Sequence, residues 1–245
     1  MIGSVHKIAN ILNCFSEEEP VLGNMEIAQK LGMKPSTTHH LLHTLVVEGM
    51  LIKDSSKHYR LGWKLLEWGQ RVMHQREVLS EAFPRIEGLN RRFNGTVHIG
   101  MLDGAEVVFV LKSAPKETPA IPTYVGSRKP AYCTSSGKLL LSARSDYAFT
   151  YELKQRAPNT ITCARKLEQE FQRINKEGYS TSDNENELGL YGIAYPITSY
   201  EGQTIAALNL VGEGCYMKGR DQMGIREHLK ATAACLSKEL GYIGV

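Results

Sequence analysis

The chain has 245 residues, of which 42% are apolar and 22% charged, and its formal net charge is +3 at pH 7. This composition is typical of a globular protein of one large or two modest domains, and no apolar run approaches a membrane span. Five scattered cysteines without a CxxC pair argue against a disulfide framework or a zinc knuckle. Reduced thiols of this kind suit a cytoplasmic protein, and the N-terminus lacks the apolar core of a signal peptide. We expect no membrane contact, no metal and no cofactor.

The first part of the chain predicts a helix-turn-helix. Helical spacing of apolar residues marks a first helix after Ser4 and a second one around Ile27, Ala28 and Leu31. After Gly32 the stretch MKPSTTHHLLHTLVVEG predicts a third helix, which begins near Pro35 with Ser36 as its cap. Two helices joined by a turn that contains glycine form this motif.

The third helix has an apolar side and a polar side. Leu41, Leu42, Leu45 and Val46 point inward, so small hydroxyls and imidazoles are left on the outer face. In a helix-turn-helix the first turns of the second helix contact bases and phosphates in the major groove. The predicted DNA-contacting residues of this helix are Ser36, Thr37, His39, His40 and His43. A helical hairpin with a solvated face is the alternative that the motif leaves open.

The next segment favours DNA binding. Leu51–Lys53 and His58–Leu61 read as two short strands around a turn, which is the pattern of a wing. Lys53, Lys57 and His58 would face the phosphate backbone. The following helix carries an apolar stripe, and we expect this stripe to pack in a dimer. The stripe consists of Leu61, Leu65, Trp68 and Val72.

The remainder predicts an α+β domain. A helix over 78–93, apolar strands such as TIAALNLV, and helices between them favour one antiparallel sheet. In CTSSGK, Ser135 and Ser136 lie at a helix N-terminus, where an anion is favoured. Ordinary N-capping without a ligand is the alternative. Asn209 lies among apolar strand residues and needs a polar partner, either a ligand or the backbone.

The order of these segments resembles the IclR family of bacterial transcription regulators over nearly the whole chain. The resemblance is carried by EIAQKLGMKPSTTHHLLHTLVVEGMLIKDSSKHYRLG, TSSGKLLLSA and GYSTSDNENELGLYGIAYPI. It implies a winged helix-turn-helix domain over 1–61, a linker and dimerisation helix over 62–76, and a GAF-like effector-binding domain over 77–245. It also implies that Ser182 and Gly192 line the effector pocket with Ser135, Ser136 and Asn209.

Two positions depart from the family pattern. His40 stands where the recognition helix usually carries arginine. Gly192 stands where cysteine, serine or alanine is common, so we expect a roomier pocket. The resemblance implies a sequence-specific regulator, expected to be a repressor, that forms a homodimer or a dimer of dimers. Its partners would be double-stranded operator DNA and a small anionic metabolite that bears a carboxylate.

One enzymatic alternative has to be considered. Ser135 to Lys138 form an S-x-x-K, and Ser182 to Asn184 form an S-D-N, in the chain order of serine β-lactamases. An acyl-enzyme would use Ser135 as nucleophile and Lys138 as base. The K-T-G-like strand that such sites need does not follow, so we do not expect catalysis. An RNA-binding or structural adaptor is disfavoured by the order of recognition helix and wing.

Overall fold

The computed structural model describes residues 2–74, 77–116, 121–144, 152–219 and 222–240. It divides into two compact units, Met1–Gln75 and Arg76–Val245. The last two residues of the predicted linker, 75 and 76, lie outside the described residues. Within the described ranges, every helix is too short or too polar to cross a membrane.

The N-terminal unit contains a small antiparallel sheet and four-turn or shorter helices around one core. Its strands pair in the order β1-β3-β2. The wing strands β2 and β3 have the bounds that the sequence predicts, whereas the two-residue strand β1 was not predicted. The elements are α1 (Gly3–Leu12), β1 (Leu22–Gly23), α2 (Asn24–Leu31), α3 (Pro35–Val47), β2 (Leu51–Lys53), β3 (His58–Leu61) and α4 (Trp63–His74). The core is formed by Ile11, Leu22, Ile27, Leu42, Leu45, Leu51 and Tyr59.

The turn between α2 and α3 is closed as a helix-turn-helix requires. Gly32 has φ 61°, in the left-handed region, and the N–H of Met33 donates to the carbonyl of Ala28 at 2.9 Å. The predicted cap of α3 is wrong. Lys34 precedes the helix and no side chain caps it in the described chain, because Pro35 already takes the first helical position. Ser36 therefore lies inside the first turn.

The C-terminal unit is built on one antiparallel sheet with the strand order β6-β5-β4-β9-β8-β7. This confirms the predicted α+β class. Short strands β6 and β7 escaped the sequence analysis. The strands are β4 (Thr96–Asp103), β5 (Glu106–Ser113), β6 (Arg128–Pro130), β7 (Ser180–Asp183), β8 (Leu190–Thr198) and β9 (Thr204–Glu213). The helices are α5 (Glu77–Phe93), α6 (Ser135–Ser142), α7 (Ala164–Glu177), α8 (Gly214–Lys218) and α9 (Gln222–Glu239), with a 3-10 turn at Ala131–Cys133.

Helices cover the sheet of the C-terminal unit. Helices α6 and α7 pack on one face through a cluster of Val107, Phe109, Leu139, Leu140, Ile174, Ala194 and Ala207. On β8 the neighbouring residue Tyr195 points the other way and stacks on Tyr179, over which Arg226 of α9 lies at 4.5 Å. Helices α5 and α9 contact each other and the central strands. The first turn of α6 thus lies over strands β8 and β9.

Candidate functional site

The outer face of α3 carries the polar residues that the sequence assigns to DNA. All five, namely Ser36, Thr37, His39, His40 and His43, are exposed. Thr38, Leu42 and Leu45 are buried and hold the helix to its domain. The hydroxyl of Thr38 donates to the carbonyl of Lys34 at 3.2 Å, so it stays within the helix. The first turns of α3 therefore present hydroxyls and imidazoles to solvent.

The wing presents lysines beside this helix. Lys53, Lys57 and His58 are exposed. Lys57 has φ 64° in the turn, and Asp54 Oδ1 closes that turn by accepting from the N–H of His58 at 2.9 Å. His58 pairs with Gly23 of β1, and its ring lies beside that glycine. Lys57 is thus the cation of the wing turn, while His58 lies against β1.

Two cations near α3 were missed by the sequence analysis. Lys7 of α1 and Lys34, with Asn10 and Thr37, line a cleft at the N-terminal end of α3. Lys34 could have been found as the exposed cation directly before Pro35. Lys7 comes from another helix, and only the packing of α1 beside the turn places it there.

A pocket in the C-terminal unit collects the predicted effector residues. The cavity has a volume of about 50 Å³ and adjoins a second one of about 240 Å³. Ile121, Glu187, Leu190 and Val211 line both. Other residues that line the first cavity are His98, Phe109, Thr123, Lys129, Thr134, Ser135, Ser182, Asn186, Gly192 and Asn209.

The floor of the pocket is a set of buried polar side chains in contact. His98 and Asn209 are direct partners on β4 and β9, with His98 Nδ1 at 3.2 Å from Asn209 Oδ1. Asn209 Nδ2 donates to Ser135 Oγ at 3.5 Å. Burial lowers the pKa of His98 to about 3, with a further lowering from the positive charge of Lys112. His98 is therefore uncharged at neutral pH.

Two family comparisons cover most of the chain. Residues 4–55 match the family described as IclR helix-turn-helix domain, and residues 70–238 match Bacterial transcriptional regulator IclR C-terminal. The chain belongs to the IclR family. It is therefore a DNA-binding transcription regulator, and its family consists of regulators, not enzymes.

Individual relatives agree with this assignment. The chain is 30% identical to the HTH-type transcriptional regulator XynR of Escherichia coli K12 over 99% of its own length and 98% of that protein. It is 31% identical to KipR of Bacillus subtilis 168 over 98% and 97% of the two chains. Among solved structures, the IclR of Thermotoga maritima aligns with a TM-score of 0.80 at 28% identity, covering 99% of this chain and 100% of that one.

In this IclR-family chain, Ser136 does not line the pocket, contrary to the prediction. Successive helical residues point about 100° apart, so Ser135 faces the cavity while Ser136 faces the sheet. The Cβ of Ser136 lies 3.5 Å from the position that a Cβ on Gly100 would take. Its hydroxyl is fully buried and has no hydrogen-bond partner in the described chain.

Gly192 does not simply enlarge the pocket. A Cβ at this position would lie 2.9 Å from Ser135 Oγ, so the hydroxyl of Ser135 occupies the space that a side chain would take. Ser182 also lines the cavity, and its hydroxyl donates to the carbonyl of Cys133 at 3.1 Å. The structure therefore brings Ser135, Ser182, Gly192 and Asn209 together and leaves Ser136 out.

The residues of the enzymatic alternative have other partners. Lys138 is 1% exposed, and its ammonium donates to Glu185 at 2.7 Å and to Glu170 at 2.9 Å. Both hydrogen bonds hold the lysine nitrogen between two carboxylates, so it is not placed as a base for Ser135. Among the described residues there is also no cluster of three or more His, Cys, Asp or Glu that could hold a metal.

His98 and Lys129 are among the polar pocket residues that the sequence analysis missed. His98 lies between Val97 and Ile99 in an alternating strand, so its side chain points to the opposite face, and this polar interruption was the available signal. Lys129 lies on the short strand β6, which has no apolar pattern. Lys129 makes no ion pair with the described residues and adds a positive charge to a lining that also contains Glu187.

Proposed function

We propose that this regulator is a cytoplasmic repressor that binds operator DNA as a dimer and is controlled by a small carboxylate. The observation that carries the proposal is the pocket floor, where Asn209, Ser135 and Lys129 offer hydrogen-bond donors and positive charge. One relative, YiaJ of Escherichia coli K12, is a DNA-binding transcriptional repressor and is 26% identical over 88% of this chain.

Recognition of DNA is assigned to α3 and the wing. Exposed Thr37, His39 and His40 would reach base edges from the first turns of the helix. Lys57 in the wing turn and Lys34 before the helix would contact phosphates, which position the protein without reading sequence. An imidazole N–H can donate to a phosphate or a base, so these histidines suit an anionic groove.

The effector is assigned to the two adjoining cavities. About 50 Å³ accommodates a few water molecules, or the carboxylate end of a small acid. Thr134 caps α6 by accepting from the N–H of Gly137 at 3.1 Å. The remaining backbone N–H groups of the first turn lack intrahelical acceptors and favour an anion at the same place. The rest of the molecule would extend into the larger cavity past Ile121 and Leu190. An IclR homologue from Microbacterium hydrocarbonoxydans with a similar fold, TM-score 0.85 at 23% identity, was crystallised with 4-hydroxybenzoate.

Dimer formation is assigned to α4. This helix leaves several large apolar side chains exposed in the single chain, at 76% for Trp63, 60% for Leu66, 39% for Trp68 and 61% for Val72. Apolar patches of this kind mark interaction surfaces. A second copy of the chain is the natural occupant, since two recognition helices are needed to read a palindromic operator.

Binding to the promoter region of the protein's own gene tests the DNA assignment. Wild type should protect a defined footprint, with affinity that falls steeply with salt. Lys57→Ala should weaken binding to all sequences about equally, whereas Thr37→Ala, His39→Ala and His40→Ala combined should erase the footprint. Lys154→Ala, an exposed lysine of the other unit, is the control. An unchanged footprint in the triple variant would refute the recognition-helix assignment.

A thermal-shift screen of small carboxylates tests the effector assignment. A ligand at about 100 times its Kd stabilises by about 2.7 kcal/mol. Asn209→Asp puts a negative charge on the pocket floor and should abolish the shift. A reporter gene under the protein's own operator then decides the sign of regulation, since a repressor lowers expression and its effector restores it. Carboxylates that stabilise wild type and Asn209→Asp equally would place the effector elsewhere.

A further inference from the structure

A line of buried polar side chains runs along the pocket from Thr123 to Ser135. Thr123 Oγ1 lies 2.8 Å from His98 Nε2, His98 Nδ1 lies 3.2 Å from Asn209 Oδ1, and Asn209 Nδ2 lies 3.5 Å from Ser135 Oγ. All four residues are less than 10% exposed. His98 also stacks on Phe109, with ring centroids 4.3 Å apart. The packing therefore leaves the imidazole little freedom to turn.

His98 is neutral, so one of its ring nitrogens donates and the other accepts. Burial and the nearby ammonium of Lys112 keep its pKa far below neutrality. Each ring nitrogen has one polar neighbour, Thr123 on one side and Asn209 on the other. The choice of tautomer therefore decides which end of the Asn209 amide faces the ring.

The distances around the hydroxyl of Thr123 favour one tautomer. Its proton can go to His98 Nε2 at 2.8 Å or to the carbonyl of Ile121 at 3.4 Å. That carbonyl already accepts from Lys112 Nζ at 3.0 Å. The nearer acceptor is the imidazole, which favours the tautomer in which Nε2 accepts and Nδ1 carries the ring proton. Nδ1 then donates to Asn209 Oδ1, and the amide nitrogen is turned towards Ser135.

We propose that His98 is a positioning residue that holds the Asn209 amide with Nδ2 towards Ser135 and the pocket, so that the floor offers donors to an oxygen acceptor. Ser135 Oγ accepts from Asn209 and keeps its own proton for the ligand. The inference rests on the proposed effector role of the pocket and adds a selection rule. A carboxylate is accepted, and the corresponding primary amide, which brings donors of its own, is rejected.

Two substitutions of His98 each keep one of its two hydrogen bonds, either the one to Asn209 or the one to Thr123. In asparagine the side-chain amide nitrogen is as many bonds from Cα as His98 Nδ1, so His98→Asn keeps a donor for Asn209. In glutamine the side-chain carbonyl oxygen is as many bonds from Cα as His98 Nε2, so His98→Gln keeps an acceptor for Thr123 and loses the donor to Asn209. If His98 only filled space, the preference for carboxylate over amide would not be kept in His98→Asn and lost in His98→Gln.

The tautomer is measured on the full-length protein with nitrogen-15-labelled histidine. Long-range proton–nitrogen NMR spectra distinguish a protonated from an unprotonated ring nitrogen, and the signal missing from His98→Asn identifies His98. We expect a neutral ring with the proton on Nδ1, unchanged between pH 6 and pH 8. A proton on Nε2, or a charged ring in this range, would overturn the proposal without any ligand being present.

Ligand selection is measured by calorimetry with matched probes, benzoate against benzamide and 4-hydroxybenzoate against 4-hydroxybenzamide. Wild type and His98→Asn should favour the carboxylate by about tenfold or more, because a mispaired buried donor is costly. In His98→Gln this preference should fall by about tenfold, and an unchanged preference would overturn the proposal. If both carboxylates fail to bind while the proton lies on Nδ1, the effector assignment fails and the positioning role stands.

Discussion

The buried ion pair of Lys138 should be essential for the stability of the C-terminal unit. Lys138→Met removes the cation from between Glu185 and Glu170 at nearly constant volume. Glu170 keeps Arg173, which donates to both of its carboxylate oxygens at 2.8 and 2.9 Å. Among the described residues, Glu185 is left with no ion-pair partner, and its Oε2 already lacks a hydrogen-bond partner there. The cost therefore falls on Glu185.

The magnitude follows from leaving one charge buried. Removing one partner of a buried pair costs about 3–5 kcal/mol. For a unit of this size that corresponds to a fall in Tm of roughly 10 °C. Burial raises the pKa of Glu185, so the folded state holds a proton more readily than the unfolded chain. The free energy of unfolding therefore falls as pH rises from the ordinary carboxyl pKa of about 4.5 through the raised pKa of the folded state. The loss of stability in Lys138→Met should be larger at pH 8, where Glu185 is charged, than at pH 5.

Far-UV circular dichroism during urea unfolding measures the loss. Both tryptophans, Trp63 and Trp68, lie in the N-terminal unit, so their fluorescence reports the unfolding of that unit. The midpoint of the fluorescence transition should shift less than the midpoint measured by circular dichroism. Lys154→Met removes an exposed lysine 3.5 Å from Glu152 and should cost less than about 1 kcal/mol. Adding Glu185→Leu to Lys138→Met should recover much of the loss. A loss no larger than that of Lys154→Met would refute the reasoning.

Three further outcomes are expected. Trp68→Glu should lower the oligomeric state in sedimentation and weaken operator binding, and a wild type that sediments as a monomer with operator present would contradict this. Gly192→Ala, whose Cβ would lie 2.9 Å from Ser135 Oγ, should weaken carboxylate binding about tenfold by displacing that hydroxyl, whereas Gly88→Ala should bind normally. Because the pKa of His98 is lowered to about 3 from 6.5, the unfolded chain alone takes up this proton between pH 6.5 and 3. Wild type should therefore lose stability as pH falls through this window, and His98→Asn should lose less in acid unfolding titrations.

Local patterns were sufficient for the DNA-binding unit. The spacing of Leu42 and Leu45 determines which side of α3 is buried, and the run after Gly49 determines the wing strands, because helix and strand periods are properties of neighbouring residues. The start of α3 near Pro35 was predicted correctly, but its cap was not, because Pro35 takes the first helical position and Ser36 lies inside the first turn. The two-residue strand β1 was missed because two residues are too few for a strand pattern, and β1 forms only by pairing with β3.

The pocket depended on the tertiary structure. The sequence indicated an anion-ready helix start and a polar residue, Asn209, on an apolar strand, and both line the cavity. It could not separate Ser135 from Ser136, because the side of α6 that meets the sheet is set by packing. Nor could it find His98, Thr123 or Lys129. Their partners are tens of residues away along the chain, and only the register of antiparallel strands, with His98 opposite Asn209, brings them into contact.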